Sequence, residues 1–138
     1  MQVIFIGVAG GSASGKTAIA RALSDKFAVN SVPVISMDWY YKALSDPSLG
    51  PTHDWDSPDA FDIPAIISAI IGWKSGEPQW TPRHDYASYT RREKVQRIES
   101  APVMILEGIL TFHDKALSEL LDHKIFIECD SDIAIFAG

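Results

Sequence analysis

Cysteine is nearly absent: the 138 residues hold one, Cys129. An internal disulfide is therefore excluded, which fits a reducing compartment. Positive charge is also scarce, with 12 Lys and Arg against 18 Asp and Glu and a formal net charge of −6. That balance argues against nucleic acid as a partner held by a basic face. No apolar run approaches the length of a membrane span. The opening stretch MQVIFIG carries no basic segment and no cleavage-site pattern, so it does not read as a signal peptide. The expectation is a cytoplasmic chain with no membrane partner. Internal repeats and low-complexity segments are missing as well.

What remains is ordinary for a globular protein, with 46% hydrophobic and 22% charged residues, enough for one core in a single domain over residues 1–138. Val3 to Val8 is a continuous apolar run, the mark of a strand buried on both faces. Thr17 to Phe27 predicts a helix with Ala20, Leu23 and Phe27 on one stripe. Residues 32–37, VPVISM, predict a second strand, and 43–60 a loop. Asp62 is placed to cap a helix with Pro64 in its first turn. Ile63, Ile66, Ile67, Ile70 and Ile71 then predict its buried face. Residues 77–100 are polar, with aromatics and arginines, and predict an insertion. PVMILEGIL (102–110) predicts a third strand. Asp114 to Leu121 predicts a short helix with Leu117, Leu120 and Leu121 inward. KIFIEC (124–129) predicts a fourth strand, with another helix expected after it. Strands alternating with helices predict an α/β fold with a parallel sheet and right-handed crossovers.

The glycines cluster where chemistry is expected. Residues 7–17 read GVAGGSASGKT, and Gly10-x-x-x-x-Gly15-Lys16-Thr17 has the P-loop spacing between a buried strand and a helix. Gly10, Gly11, Ser12, Ala13, Ser14 and Gly15 can wrap backbone N–H groups around phosphate oxygens, and the helix N-terminus adds its positive end. Lys16 supplies a point charge to the outer phosphates, and the Thr17 hydroxyl can ligate Mg²⁺. The alternative is a flexible loop that carries a lysine.

Two acids stand at strand ends: Asp38 after the second strand and Glu107 at the end of the third. In an open parallel sheet the ligand lies beyond the carboxyl ends of the strands. One carboxylate can deprotonate or orient an acceptor hydroxyl, and the other can hold Mg²⁺. Acids that only face solvent at a strand end are the alternative.

GGSASGKT (10–17), MDWYYK (37–42), DWDSPDAFD (54–62), PRHDYASYTR (82–91) and EGIL (107–110) stand in one order, and together the chain resembles the uridine–cytidine kinase branch of the P-loop kinases over about residues 3–132. The resemblance implies a three-layer P-loop sandwich of the nucleoside-kinase kind, with ATP or GTP as phosphate donor, Mg²⁺ as cofactor and a nucleoside 5′-hydroxyl as acceptor. By resemblance Asp38 is the catalytic base and Lys16 assists transfer. Thr17 and Glu107 serve the metal. Asp56 holds ribose hydroxyls, and Tyr41, Trp55 and Tyr86 line the nucleoside pocket. The family usually places Tyr and His at the positions of His84 and Tyr89. Here the two types are exchanged, and both can still donate and accept hydrogen bonds to a base edge.

After its fourth strand the family continues with an arginine-rich helix and a lid. Here CDSDIAIFAG follows, with Ala134 where the first arginine belongs. The expectation is a fold incomplete at its C-terminus with an apolar sheet edge or face, covered by a partner chain or by homo-oligomerisation, and weak or no turnover by the chain alone. The other readings are a truncated paralogue that only binds nucleotide, and a different small-molecule kinase such as ribosylnicotinamide kinase.

Overall fold

The computed structural model describes residues 2–10, 22, 25, 32–47, 49, 57–109, 111–127 and 133–137. Its strands are β1 (Ile4–Ala9), β2 (Val34–Ser36), β3 (Gln79–Asp85), β4 (Thr90–Ile98), β5 (Val103–Gly108), β6 (His123–Ile127) and β7 (Ile133–Ala137). Its described helices are α1 (Ile63–Lys74) and α2 (Lys115–Glu119), with short 3-10 turns at Met37–Tyr40 and Pro58–Ala60. The helix expected over 17–27 lies outside the described residues except Ala22 and Asp25, which are helical and exposed.

Five strands form one sheet in the order β2-β5-β1-β6-β7, and β3 and β4 form a separate antiparallel hairpin. β5, β1, β6 and β2 are mutually parallel. β5 is buried along its whole length, as its unbroken apolar sequence requires. Side chains alternate between two cores. Phe5, Met104 and Leu106 face the layer of α1 and α2, while Ile6, Val8, Ile105 and Ile125 fill the other. Val8 and Ser36 are both register partners of Glu107, so the carboxyl ends of three strands come level. No helix among the described residues is long and apolar enough to cross a membrane.

Two expectations need correction. The segment after β6 forms the strand β7, antiparallel to β6 with Ile125 opposite Ile135, instead of a helix. Ile133, Ile135 and Phe136 are strand formers, and pairing satisfies the backbone of the β6 edge that the sequence left open. The buried face of α1 is also rotated from the isoleucine stripe. Ile66, Ala69, Ile70 and Trp73 are buried, Ile63 and Ile67 only partly so, and Ile71 is 51% exposed. The reason is Trp73, whose indole fills the core beside Phe5 with ring centroids 6.1 Å apart and turns the helix toward itself. Leu117 and Leu121 are buried as the pattern of α2 predicts, and Leu120 is partly buried.

The caps of α1 follow from its sequence. Asp62 Oδ1 accepts from the Ala65 N–H at 3.2 Å, and Pro64 stands in the first turn. At the other end Gly76 has φ +85°. Its N–H donates to the Trp73 carbonyl at 2.9 Å, and the Glu77 N–H donates to the Gly72 carbonyl at 3.0 Å. That is a Schellman cap, which places C′ in the left-handed region. A β-carbon at Gly76 would meet no neighbour, so Gly76→Ala isolates the backbone term. A loss of about 1–2 kcal/mol is expected in urea unfolding with an unchanged slope. Wild-type stability in that variant would contradict the assigned cap.

Candidate functional site

The site is built on the turn that follows β2. Ser36 Oγ accepts the Asp38 N–H at 3.2 Å and starts the turn Met37–Tyr40. Met37 and Tyr40 point into the core and are buried, and this anchors the backbone that presents Asp38. Burial pushes the Tyr40 phenol up to about 12, against the opposing pull of Arg91 and Arg83, so it stays protonated. Tyr41 leaves the turn by bridging to Phe61 through the backbone, and the two rings stack at 4.4 Å.

The hairpin closes over this turn. Its tip is a four-residue connection, Tyr86 to Tyr89, in which Asp85 Oδ1 accepts the N–H groups of Ala87 at 2.9 Å and Ser88 at 3.4 Å. These bonds hold the Asp85 carboxyl below its ordinary range. Tyr89 sits at φ 53°, an uncommon conformation for a bulky residue, and its carbonyl accepts from the Leu44 N–H at 2.9 Å. Further down, the pairing shifts between Thr81 and Arg83 opposite Lys94, whose φ is 51°. Pro82 falls at that break, where it has no N–H to contribute to a ladder.

Three side-chain contacts among the described residues help fix the hairpin to the body. Arg91 donates to Asp62 Oδ2 at 2.6 Å and pairs with Glu93 at 2.7 Å. Arg83 lies over the Trp39 ring, 3.6 Å from its centroid. Trp73 Nε1 donates to the Ile98 carbonyl at 2.9 Å. Arg97 pairs with Glu99. Arg83, Arg91 and Arg97 are thus each engaged within or beside the hairpin.

Four of the residues named from the sequence converge. Tyr41, His84, Tyr86 and Tyr89 line one cavity of about 240 Å³. His84 is 9% exposed and meets Tyr86 edge-on at 4.9 Å, Tyr41 at 5.6 Å and Tyr89 at 6.3 Å. Burial lowers the His84 pKa, outweighing a backbone hydrogen bond at Tyr41 and the Asp85 charge. The imidazole is therefore neutral near pH 7, with one ring nitrogen to donate and one to accept. Burial also raises the Tyr86 phenol, and the negative charges of Asp38 and Glu107 raise it further. The aromatic cavity and the two strand-end carboxylates therefore share one electrostatic neighbourhood. Glu107 is 7% exposed at the end of β5.

Gly10, at φ 136° just past β1, is the last described residue before the glycine-rich loop. Gly11, Ser12, Ala13, Ser14, Gly15, Lys16, Thr17, Trp55 and Asp56 lie outside the described residues. Two contributors to the site escaped the sequence reading. Phe61 backs Tyr41, and Arg91, the strand partner of His84, ties the hairpin to the cap of α1. The aromatic in PDAFD was the available signal for the first. No spacing pairs Arg91 with an acid 29 residues away.

Residues 5–137 match the model of the phosphoribulokinase / uridine kinase family. The chain is 42% identical to a uridine kinase of Geobacillus sp. (strain WCH70) over 96% of its own length and 64% of that protein. It is 41% identical to uridine-cytidine kinase-like 1 of Mus musculus over 97% of its length and 25% of that protein. The chain thus spans a quarter of the mouse relative and just under two thirds of the bacterial one. Among solved structures, a possible uridine kinase from Bacillus stearothermophilus superposes with a TM-score of 0.71 at 19% identity, covering 94% of this chain and 72% of that one. D-glycerate 3-kinase from Cryptococcus neoformans superposes at 0.58 with 16% identity, over 80% of this chain and 44% of that one. These likenesses carry the fold: an α/β P-loop kinase architecture. By its sequence and its fold, the chain belongs to the phosphoribulokinase / uridine kinase family.

Proposed function

We propose that the chain binds a nucleoside and a nucleoside triphosphate and transfers the γ-phosphoryl group of ATP or GTP to the nucleoside 5′-hydroxyl, making UMP or CMP from uridine or cytidine as in pyrimidine salvage. One observation carries this reading. The cavity of Tyr41, His84, Tyr86 and Tyr89 lies within electrostatic reach of Asp38 and Glu107, two carboxylates at the carboxyl ends of strands. Flat rings steeply inclined to one another, at 61° to 76°, suit a planar base. Neutral His84, whose N–H is engaged with the Tyr41 backbone, can accept from its polar edge, and the Tyr89 hydroxyl can donate or accept. By their match to the family, Asp56 holds the ribose hydroxyls and Trp55 adds a further aromatic to the nucleoside pocket.

Asp38 accepts the proton of the 5′-hydroxyl as that oxygen attacks the γ-phosphorus. The bond to the β–γ bridging oxygen breaks, and the diphosphate leaves with the electron pair. Backbone N–H groups of residues 10–17 and the Lys16 ammonium hold the phosphates. The donor set fits Mg²⁺, which takes one or two carboxylates and keeps phosphate and water ligands. Glu107 is such a buried carboxylate, Thr17 would complete the protein's share, and no cluster of three or more acidic, His or Cys ligands occurs among the described residues. When bound, the ion neutralises charge on the transferring group.

Lys16→Ala tests the phosphate half. Calorimetric titration should show saturable Mg-ATP binding to wild type, weakened at least about tenfold, or ~1.4 kcal/mol, in the variant. Equal affinity in the two proteins would remove the glycine-rich loop from the account.

A further inference from the structure

Beneath the strand ends lies a hydroxyl that the proposed chemistry does not use. Thr111 follows β5 by three residues and is 0% exposed. Its Oγ1 donates to the Gly108 carbonyl at 2.8 Å and reaches the Val8 carbonyl at 3.2 Å. One proton is thus shared between the ends of two strands in a three-centre bond. The Met37 sulfur lies 3.6 Å from the same oxygen.

Each of these partners adjoins a residue of the candidate site. Val8 is the register partner of Glu107, and Gly108 is its chain neighbour. Met37 precedes Asp38 in the turn after β2. Val8 also stands two residues before Gly10, where the glycine-rich loop begins. A single buried hydroxyl therefore touches the backbone of β1 and β5 and the side chain that anchors the Asp38 turn.

Two glycines make the approach possible. A β-carbon at Gly7 would fall 2.4 Å from Leu121 Cδ1, 2.9 Å from Phe112 Cε1 and 3.2 Å from Thr111 Cγ2. One at Gly108 would fall 2.8 Å from Met37 Cβ. The contacts under 3.0 Å are closer than real β-carbons come, so a larger residue at Gly7 would displace Leu121 and Phe112 and press on Thr111, and one at Gly108 would push Met37 away from the strand. Valine would fill the space of Thr111 equally well, and what threonine adds is the bond between strand ends.

We infer that Thr111 is a positioning residue whose hydroxyl holds the exits of β1 and β5 and the Asp38 turn in one register, and so sets the spacing between the phosphate loop and Glu107. This rests on the proposed kinase function. The spacing matters most when both sides grip one ligand, as with Mg-ATP. Phosphate binding by the loop alone should be indifferent to it.

The test measures ATP affinity by calorimetry with Mg²⁺ and with EDTA, in wild type, Thr111→Val and Thr111→Ser. Wild type should bind ATP more tightly with Mg²⁺. In Thr111→Val that Mg²⁺-dependent gain should fall about tenfold, or ~1.4 kcal/mol, while metal-free affinity stays within about twofold. Thr111→Ser, which keeps the hydroxyl, should restore the gain. If Thr111→Val does not fold, Thr111→Cys, of similar size with a weak donor, should show a reduced gain in its place. An unchanged gain in Thr111→Val, or an equal loss with and without Mg²⁺, overturns the inference, and so does failure of serine to restore it. Wild-type protein that binds no ATP would overturn the proposed function itself, and this inference with it.

Discussion

Asp38→Asn should lower kcat by about 10²–10⁴-fold with uridine as acceptor, the range a positioned general base contributes. Asparagine has the size of aspartate, and the turn that presents residue 38 is held by the Ser36 hydroxyl on its backbone N–H and by buried Met37 and Tyr40. The fold and the Kd for Mg-ATP should therefore stay near wild type. What asparagine cannot do is accept the hydroxyl proton. A steady-state comparison of kcat and KM for both substrates decides the point. A variant with wild-type kcat would take Asp38 out of the role of base and leave it a solvent-facing acid at a strand end.

The largest expected effect on stability is at Trp73. Its side chain is fully buried in the core formed by Phe5, Ile66, Ile70 and Met104. Its Nε1 donates to the Ile98 carbonyl at 2.9 Å, and its own carbonyl accepts from Ser100 Oγ at 2.7 Å. Trp73→Ala should cost about 3–5 kcal/mol through lost burial and the cavity left behind. Against a typical total of about 5–15 kcal/mol, that leaves the domain marginal. Trp73→Phe retains most of the volume and loses the N–H, so about 1–3 kcal/mol is expected from the unsatisfied Ile98 carbonyl. Urea midpoints measure both. Destabilisation below about 1 kcal/mol in the alanine variant would contradict the packing described.

The sheet was legible because IFIGVA and VMILEG are apolar runs that only strands buried on both faces require. The α1 caps were legible because Asp62 and Pro64 act locally. The hairpin was not. β4 reads TRREKVQRI and is largely exposed on both sides, so no period of two separates an inner from an outer face. Its shape is imposed by distant partners, Asp62 and Trp73, and by the break at Pro82. The rotation of α1 was hidden for a similar reason. Five isoleucines suggest a stripe, but one tryptophan outweighs them in buried surface. In the candidate site, Tyr41, His84, Tyr86 and Tyr89 were named through family resemblance, and the cavity they share is a product of the fold. Thr111 gave no signal at all, since its bond to Val8 spans 103 positions.

The central claim is that the aromatic cavity presents a nucleoside 5′-hydroxyl to Asp38 for phosphorylation. It is tested most directly by ³¹P NMR of the chain incubated at length with uridine, ATP and Mg²⁺, with Asp38→Asn protein as the control. The account predicts a growing resonance of uridine 5′-monophosphate matched by ADP, and none with the variant. ADP and inorganic phosphate without a 5′-phosphorylated nucleoside, or the same product from Asp38→Asn at the same rate, would contradict it.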